Sequence, residues 1–183
     1  MQELSLHILD IVQNSVRAKA DKIEIIVDEH PAKDRYSIEI IDNGSGVDPE
    51  TLENIADPFF TTRTTRKVGM GISLFKQNAE QTGGSLKVES KLGEGTKLTA
   101  MFSFKHIDRP SMGDIAGTMT LLIGSYPEIR FIYIHRTPLS DFEFDTKQVK
   151  EELEKVPINH PDILKALKEL IFENLMLIEA ALN

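Results

Sequence analysis

The chain has 183 residues, of which 40% are hydrophobic, and its formal net charge at pH 7 is −8. This apolar fraction is enough to bury a core, and the acidic balance argues against a broad basic surface for nucleic acid or anionic lipid. The absence of cysteine excludes disulfide bonds, a cysteine nucleophile and thiolate zinc sites. No basic segment leads an apolar run at the N-terminus, and no apolar run approaches the ~20 residues that span a bilayer, so the sequence predicts a soluble cytoplasmic protein.

The first 105 residues predict the element order α-β-β-α-loop-α-β-β. Apolar residues recur at intervals of three and four where we predict helices, and they alternate where we predict strands. The predicted bounds are helix 2–20, strands 22–27 and 36–41, helix 49–56, loop 57–68, helix 69–81 and strands 85–90 and 97–105. This order indicates an α+β fold in which helices pack on one face of a sheet.

The remainder of the chain predicts a linker and a second domain. Residues 106–116 include Pro110 and Gly113 and have the composition of a linker. Residues 117–183 predict a small α+β domain, whose position after the first domain indicates an interaction module. Its predicted bounds are strands 118–123, 129–135 and 142–144 and helices 146–155 and 161–182. The apolar stripe of the last helix is expected to pack on that small sheet, with a self-association seam as the alternative.

The stretch between residues 42 and 71 has the features of a nucleotide site. Asp42 ends the second strand, and Gly44 and Gly46 follow it in a tight turn. Gly69-Met70-Gly71 opens a helix, whose N-terminus favours anions such as phosphate. Glycine lets the backbone approach a ligand closely. For Asp42, the alternative is a turn-capping role that is common in Asp-Asn-Gly.

Five segments in this order resemble the N, G1, F, G2 and G3 boxes of the GHKL ATPases, which include gyrase, a heat-shock chaperone, histidine kinases and MutL. They are Asn14, Asp42–Gly46, Pro58–Arg63, Gly69–Gly71 and Gly93–Thr96. The resemblance covers residues 2 to about 105. It implies the Bergerat fold, a two-layer α/β sandwich with a mixed sheet and helices on one face. It also implies that ATP binds between these helices and a lid.

At the purine end, Asp42 would accept a hydrogen bond from the exocyclic amine of adenine, which favours adenine over guanine. Thr96 would lie near Asp42 across the sheet and help to hold the base, although it could simply be the first residue of a strand. At the phosphate end, the amide oxygen of Asn14 would be a ligand for Mg²⁺. The polar face of the first helix that carries Asn14 could also be merely its solvent side.

The lid and the glycine-led helix would complete the phosphate end. Gly69, Met70 and Gly71 belong to the segment that leaves room for phosphate oxygens against backbone amides. Arg63, Arg66 and Lys67 would clamp the phosphates from the lid as charge-assisted donors. Phe59 and Phe60 would anchor the base of the lid in the core.

Asp10 lies four residues before Asn14, where MutL, the chaperone and gyrase have a Glu that activates the attacking water. An Asp can serve as this base if it reaches the water within about 3 Å. Many histidine kinases have a non-base residue there, because their acceptor is a protein histidine. The local sequence of the first helix is closer to that of MutL, whereas Phe-Phe-Thr-Thr-Arg and the short lid are closer to those of histidine kinases. The sequence therefore leaves the subtype open. His7, one turn upstream on the same face, is a minor alternative as phosphate acceptor.

These observations predict a Mg-ATP-binding protein of the histidine kinase or ATPase type. It would act in signal transduction as a kinase, ATPase or ATP-dependent switch on an unidentified partner protein, which supplies any phosphoacceptor in trans. The alternative is a non-catalytic regulator that binds ATP or ADP to set its shape, with residues 106–183 as the interaction module. A coincidence of turns in an ordinary α+β protein is the third alternative. The sequence gives no oligomeric state.

Overall fold

The structure, a computed structural model, describes residues 3–54 and 70–182 of the chain. Its elements are α1 (Leu4–Arg17), β1 (Lys22–His30), β2 (Arg35–Asp42), α2 (Pro49–Asn54), α3 (Met70–Gln81), β3 (Ser85–Lys91), β4 (Gly95–Ser103), α4 (Ile115–Ser125), β5 (Arg130–Arg136), β6 (Asp141–Asp145), α5 (Thr146–Leu153) and α6 (Pro161–Leu177). Within the two described ranges, no helix has both the length and the apolar character needed to cross a membrane.

All six described strands belong to one sheet, in the spatial order β3-β4-β2-β1-β5-β6. The β1–β5 pair is parallel and the other pairs are antiparallel. Burial alternates strictly along β1 and β2, because one face of each strand is covered. The α+β class and the mixed sheet with helices on one face are therefore confirmed.

The helices that cover this face are α1, α3, α4 and α6. α1 contacts β2, α3 and α4, and α6 packs on α4 and on the end of β6. The apolar side of α1 is buried at Leu4, Ile8, Ile11 and Val12. On the polar side of α1, His7 and Asp10 lie beside α3, and near the C-terminal end of α1 Ser15 contacts the end of β2.

The strands of the C-terminal segment join the main sheet, so the prediction that they form a small sheet of their own is wrong. Phe131 and Tyr133 of β5 are fully buried and lie beside Ile23 and Ile25 of β1. Without β5, this edge of β1 would present unpaired backbone groups to solvent. The pairing with β5 covers that edge and continues the apolar layer beneath the helices.

The strand predicted over 118–123 is wrong, because these residues lie within α4. Asp114 caps the helix by accepting a hydrogen bond from the backbone N–H of Gly117 at 2.8 Å. Both Met119 and Ile123 are buried, four positions apart. The run combines two threonines with four apolar residues, which fits a buried helix as well as a strand, and the cap and the packing on α1 and α6 favour the helix.

The segment predicted as a linker is fastened to the start of α1. The backbone N–H groups of Leu4 and Ser5 donate to the carbonyls of Ser111 and Met112, each at 2.9 Å. These donors have no partner within their own helix, so the returning chain satisfies two of them. Met112 is fully buried, and residues 111–112 therefore belong to the core layer.

The last helix was predicted over 161–182, and it is observed to end at Leu177. Its inward stripe is buried at Leu167, Ile171 and Leu175. This stripe packs on α4 and β6 within the chain, in the main sheet's helical layer.

Candidate functional site

Helix α1 directs two consecutive side chains to different parts of the site. Asn14 is exposed, and its Oδ1 accepts a hydrogen bond from Nη1 of Arg17 at 2.9 Å. Ser15 is only 3% exposed, and its hydroxyl donates to Oδ2 of Asp42 at 2.6 Å. Because successive residues of a helix are about 100° apart, Asn14 lies on the exposed side of the site and Ser15 on its buried side.

Asp42, the last residue of β2, is 9% exposed and is held through both carboxylate oxygens. Besides the bond from Ser15, its Oδ1 accepts from the backbone N–H of Gly44 at 2.9 Å. Thr96 lies directly opposite Asp42 in the β2–β4 register, and its Oγ1 is 2.9 Å from Oγ of Ser90. The expected proximity of Thr96 and Asp42 is therefore observed.

Asn14 and Asp42 face one cavity of about 90 Å³. Its polar lining includes Asn14, Ser15, Asp42 and Thr96, and its apolar walls are Ile11, Ile40, Val47, Ile72, Val88 and Leu98. Drug-sized ligands occupy pockets of about 300–1,000 Å³, so this cavity matches one part of a ligand, such as a flat apolar ring. A carboxylate on an otherwise apolar floor provides directional recognition of a hydrogen-bond donor on that ring.

The glycines after Asp42 allow the turn to pack closely against its neighbours, and Gly46 also lines the cavity. Gly46 has φ +66°, and a Cβ there would lie 2.1 Å from the carbonyl oxygen of Lys91. At Gly44, a Cβ would lie 2.8 Å from Cβ of Ala18. The turn that contains Gly44 and Gly46 thus packs tightly between the end of α1 and the turn that joins β3 to β4. Glycine is needed here for backbone to approach backbone, which fixes Asp42 at the floor of the cavity.

Asp10 lies beside the first turn of α3. A Cβ added to Gly71 would lie 3.1 Å from Cβ of Asp10 and 3.6 Å from its Oδ2. Asp10 is half-buried and is one helical turn before Asn14 on the same side of α1. One region of the site is therefore bordered by the carboxylate of Asp10, the amide of Asn14 and the start of α3.

Four predicted phosphate-binding residues, Arg63, Arg66, Lys67 and Gly69, lie outside the described residues. The predicted lid anchors Phe59 and Phe60 lie outside them as well. Met70 is described only as the first backbone position of α3.

His7 is fully enclosed and stacks on Phe75, with ring centroids 5.0 Å apart. Its Nε2 is 2.7 Å from Nδ2 of Asn78, and burial lowers its pKa to about 4. Since Asn78 donates this bond, the ring accepts at Nε2 in its neutral form. This environment is that of a core histidine, which argues against the minor role of phosphate acceptor.

Two site residues were missed by sequence reasoning, Ser15 and Arg17. Ser15 shares the buried face of the first helix with apolar residues, and a hydroxyl on a buried face requires a hydrogen-bond partner, which is a usable signal. Arg17 follows Asn14 by three positions, the spacing at which helical side chains are neighbours. Both positions could therefore have been found from the helix alone.

A family model described as histidine kinase-, DNA gyrase B- and HSP90-like ATPase matches residues 2–106. The chain is 34% identical over 109 residues to a putative sensor protein of Shewanella frigidimarina, covering 58% of this chain and 17% of that protein. It is 35% identical over 103 residues to the sensor protein SrrB of Staphylococcus aureus, covering 52% of this chain and 17% of that protein. The chain thus spans about a sixth of the length of these relatives.

Among solved structures, the fold is similar to the crystal structure of the N-terminal domain of a DNA repair protein. The TM-score is 0.55 at 20% sequence identity, and the match covers 79% of this chain and 52% of that chain. At this identity the likeness concerns the fold alone. Its coverage exceeds that of the family match, so the shared fold includes part of the chain beyond residue 106.

Proposed function

Because the chain belongs to the histidine kinase-, DNA gyrase B- and HSP90-like ATPase family, we propose that it binds ATP together with Mg²⁺ and acts as a kinase or ATP-dependent switch on a protein partner. The observation that carries this proposal is the cavity shared by Asn14 and Asp42, with Asp42 held at its floor by two hydrogen bonds. One end of the site thereby offers a buried acceptor for a base, and the other offers a neutral oxygen at the rim.

The base end suits adenine. An ionised carboxylate only accepts hydrogen bonds, so Asp42 would pair with the exocyclic amine of adenine. Guanine presents an oxygen at the corresponding position, and two acceptors facing each other would leave both unpaired. Thr96, opposite Asp42, has a hydroxyl that can donate or accept, so it would adapt to a neighbouring ring nitrogen directly or through water.

The phosphate end combines the rim of α1 with the start of α3. The first turn of a helix favours anions, and α3 is 12 residues long, enough for its N-terminus to contribute. Arg17 lies at the same rim and would add a cation near Asn14. The predicted clamps Arg63, Arg66 and Lys67 remain part of the proposal, together with Gly69, Met70 and Gly71.

The donor set fits a magnesium ion that is carried with the nucleotide. Asn14 offers a hard neutral oxygen at an exposed position, and within residues 3–54 and 70–182 no group of three or more His, Asp or Glu side chains could hold a metal. Mg²⁺ is commonly bound in this way, by one or two protein oxygens together with phosphates and waters. When bound, the ion would neutralise part of the triphosphate charge. The protein would contribute Asn14 as ligand, after Arg17 turns away from its oxygen.

Transfer of the γ-phosphate distinguishes the two forms of the proposed function. As an ATPase, the protein would use Asp10, beside Gly71, as the base for the attacking water. As a kinase, it would act on a partner, which the sensor-protein relatives favour. Residues 107–182 would then provide the contact surface for that partner. The alternative function, nucleotide sensing without turnover, needs the same cavity and differs only in lacking phosphate transfer. The cytoplasmic location stays a prediction.

The test is a titration with a fluorescent ATP analogue, with and without Mg²⁺, on the wild-type chain and on Asp42→Asn and Asn14→Ala. Asp42→Asn is expected to weaken binding at least about tenfold in both conditions, because an amide group replaces an acceptor-only group. Asn14→Ala is expected to weaken binding mainly when Mg²⁺ is present. Equal binding by all three proteins would contradict the proposal. Label transfer from γ-labelled ATP to a co-purifying protein then favours the kinase over the ATPase.

A further inference from the structure

The hydroxyl of Ser15 has an unusual partner for a serine inside a helix. A serine in this position commonly bonds the carbonyl four residues earlier in its own helix, which satisfies the hydroxyl locally. Ser15 instead donates to Asp42, 27 positions away, at 2.6 Å. This length is typical of a hydroxyl bound to a carboxylate, which is among the stronger hydrogen bonds in proteins.

This bond fixes the carboxylate in a way that the turn alone does not. The backbone N–H of Gly44 holds Oδ1 of Asp42, but the terminal torsion of an Asp side chain is broad, so one donor leaves the plane of the carboxylate free to tilt. Ser15 holds the other oxygen from a different element. The two donors together define the plane.

Asp42 lines the cavity and keeps acceptor capacity for a ligand. A carboxylate has about four lone-pair sites, and the two observed donors leave about two of them for a ligand. Asp42 and Thr96 both line the cavity, whose other nearby walls are apolar. A ligand donor therefore meets a carboxylate whose orientation is already set, with no ordering cost on binding.

We propose that Ser15 is a specificity-determining positioning residue, which acts through Asp42 to set the preference for adenine over guanine. This inference rests on the proposed function, since it requires a purine at Asp42. Ser15 itself is buried beneath the carboxylate, so its influence on the base is indirect. Its neighbour Asn14 serves the phosphate end, and a single turn of α1 thus organises both ends of the nucleotide.

The test compares the dissociation constants for ATP and GTP, measured by isothermal titration calorimetry, in the wild type and in Ser15→Ala, Ser15→Cys and Ser15→Thr. Ser15→Ala is expected to weaken ATP binding about tenfold and to change GTP binding little, because only adenine uses the oriented carboxylate. Ser15→Thr keeps the hydroxyl and is expected to retain the wild-type preference for ATP over GTP. Ser15→Cys has nearly the same volume with a weaker donor, so it carries the test if Ser15→Ala does not fold.

Ser5→Ala is the matched control, since Ser5 is 1% exposed on the same helix, near its opposite end. This variant is expected to keep the wild-type ratio of ATP to GTP affinity. An equal fall in the ratio for Ser5→Ala would overturn the inference, because the effect would then be a general loosening of α1. If the wild type prefers ATP and both Ser15→Ala and Ser15→Cys keep that preference unchanged, this inference is overturned while the proposed function stands. A wild type that binds neither nucleotide would overturn the proposed function with it.

Discussion

The carboxylate of Glu29 on β1 lies 2.6 Å from Nε2 of His135 on β5, and both side chains are enclosed. The same Glu29 oxygen accepts from the backbone N–H of Ala181 at 2.9 Å, and the hydroxyl of Tyr133 is 2.7 Å from Nδ1 of His135. With its proton on Nε2, the imidazole donates to Glu29 and accepts from Tyr133. This network joins the N-terminal half of the sheet to the last residues of the chain.

Replacing His135 by Ala should lower the free energy of unfolding by about 3–5 kcal/mol, because the buried Glu29 would lose its imidazole partner and keep only the hydrogen bond from Ala181. Urea unfolding followed by circular dichroism measures the change. His30→Ala is the control, since His30 forms a partly exposed pair with Asp28, of a kind worth at most about 1 kcal/mol. Similar losses in the two variants would contradict a structural role for the network.

Truncation after residue 106 should abolish cooperative folding, although residues 2–106 match the family model. The truncated chain loses β5, which covers the free edge of β1, and Ser111 and Met112, which bind the first turn of α1. It also exposes the apolar face that Phe131 and Tyr133 cover. Thermal unfolding and one-dimensional NMR of the fragment test this expectation. A sharp transition at the temperature of the full chain would support the division into domains at 106–116.

The N-terminal half of the fold could be predicted because its strands alternate clearly and its helix α1 is amphipathic. The C-terminal half could not, for two reasons. The run 118–123 has threonine at 118 and 120 and apolar residues at the other four positions, so its pattern fits a strand as well as a buried helix. The β1–β5 pairing joins residues more than 100 positions apart, and no local pattern specifies which strand edge a segment will choose.

The candidate site was predictable at Asn14 and Asp42, because both belong to segments that resemble the family's motifs. Its supporting contacts were not, because they depend on which faces of α1 and β2 meet. The bond from Ser15 to Asp42 depends on the depth at which α1 packs. The close approach of Gly46 to Lys91 depends on the position of the turn between β3 and β4.

Gly46→Ala should reduce both stability and nucleotide affinity. At φ +66° an alanine is strained by about 1–2 kcal/mol, and its Cβ would also collide with the carbonyl of Lys91 at 2.1 Å. Gly83→Ala separates the two effects, since Gly83 has φ +76° and nothing within 4 Å of the added Cβ.

We expect Gly83→Ala to show only the conformational cost and to bind the fluorescent ATP analogue like the wild type. Gly46→Ala should lose more free energy of unfolding and bind more weakly, because the displaced turn carries the N–H of Gly44 away from Asp42. Equal behaviour of the two variants in denaturation and titration would show that the turn has room to adapt.

His7 should make the stability of the protein depend on pH. Burial lowers its pKa from 6.5 to about 4 in the folded state, so the unfolded state binds the proton more readily between these values. The contribution of His7 to stability is therefore present above about pH 6.5 and is lost as the pH falls towards about 4. Urea midpoints at pH 7 and pH 5 should differ less for His7→Gln, which cannot titrate, than for the wild type. A pH dependence that His7→Gln leaves unchanged would assign it to other groups.

Asp10→Asn should lower the rate of phosphate release about 100-fold without changing the ATP dissociation constant, if Asp10 activates the attacking water. The substitution keeps the size of the side chain beside Gly71 and replaces its carboxylate with a neutral amide, which cannot take the proton from water. Asp10→Glu is the informative companion, since it retains the base on a longer side chain and should keep part of the activity. Phosphate release measured with each protein at saturating ATP provides the comparison. Full turnover by Asp10→Asn would exclude Asp10 as the base.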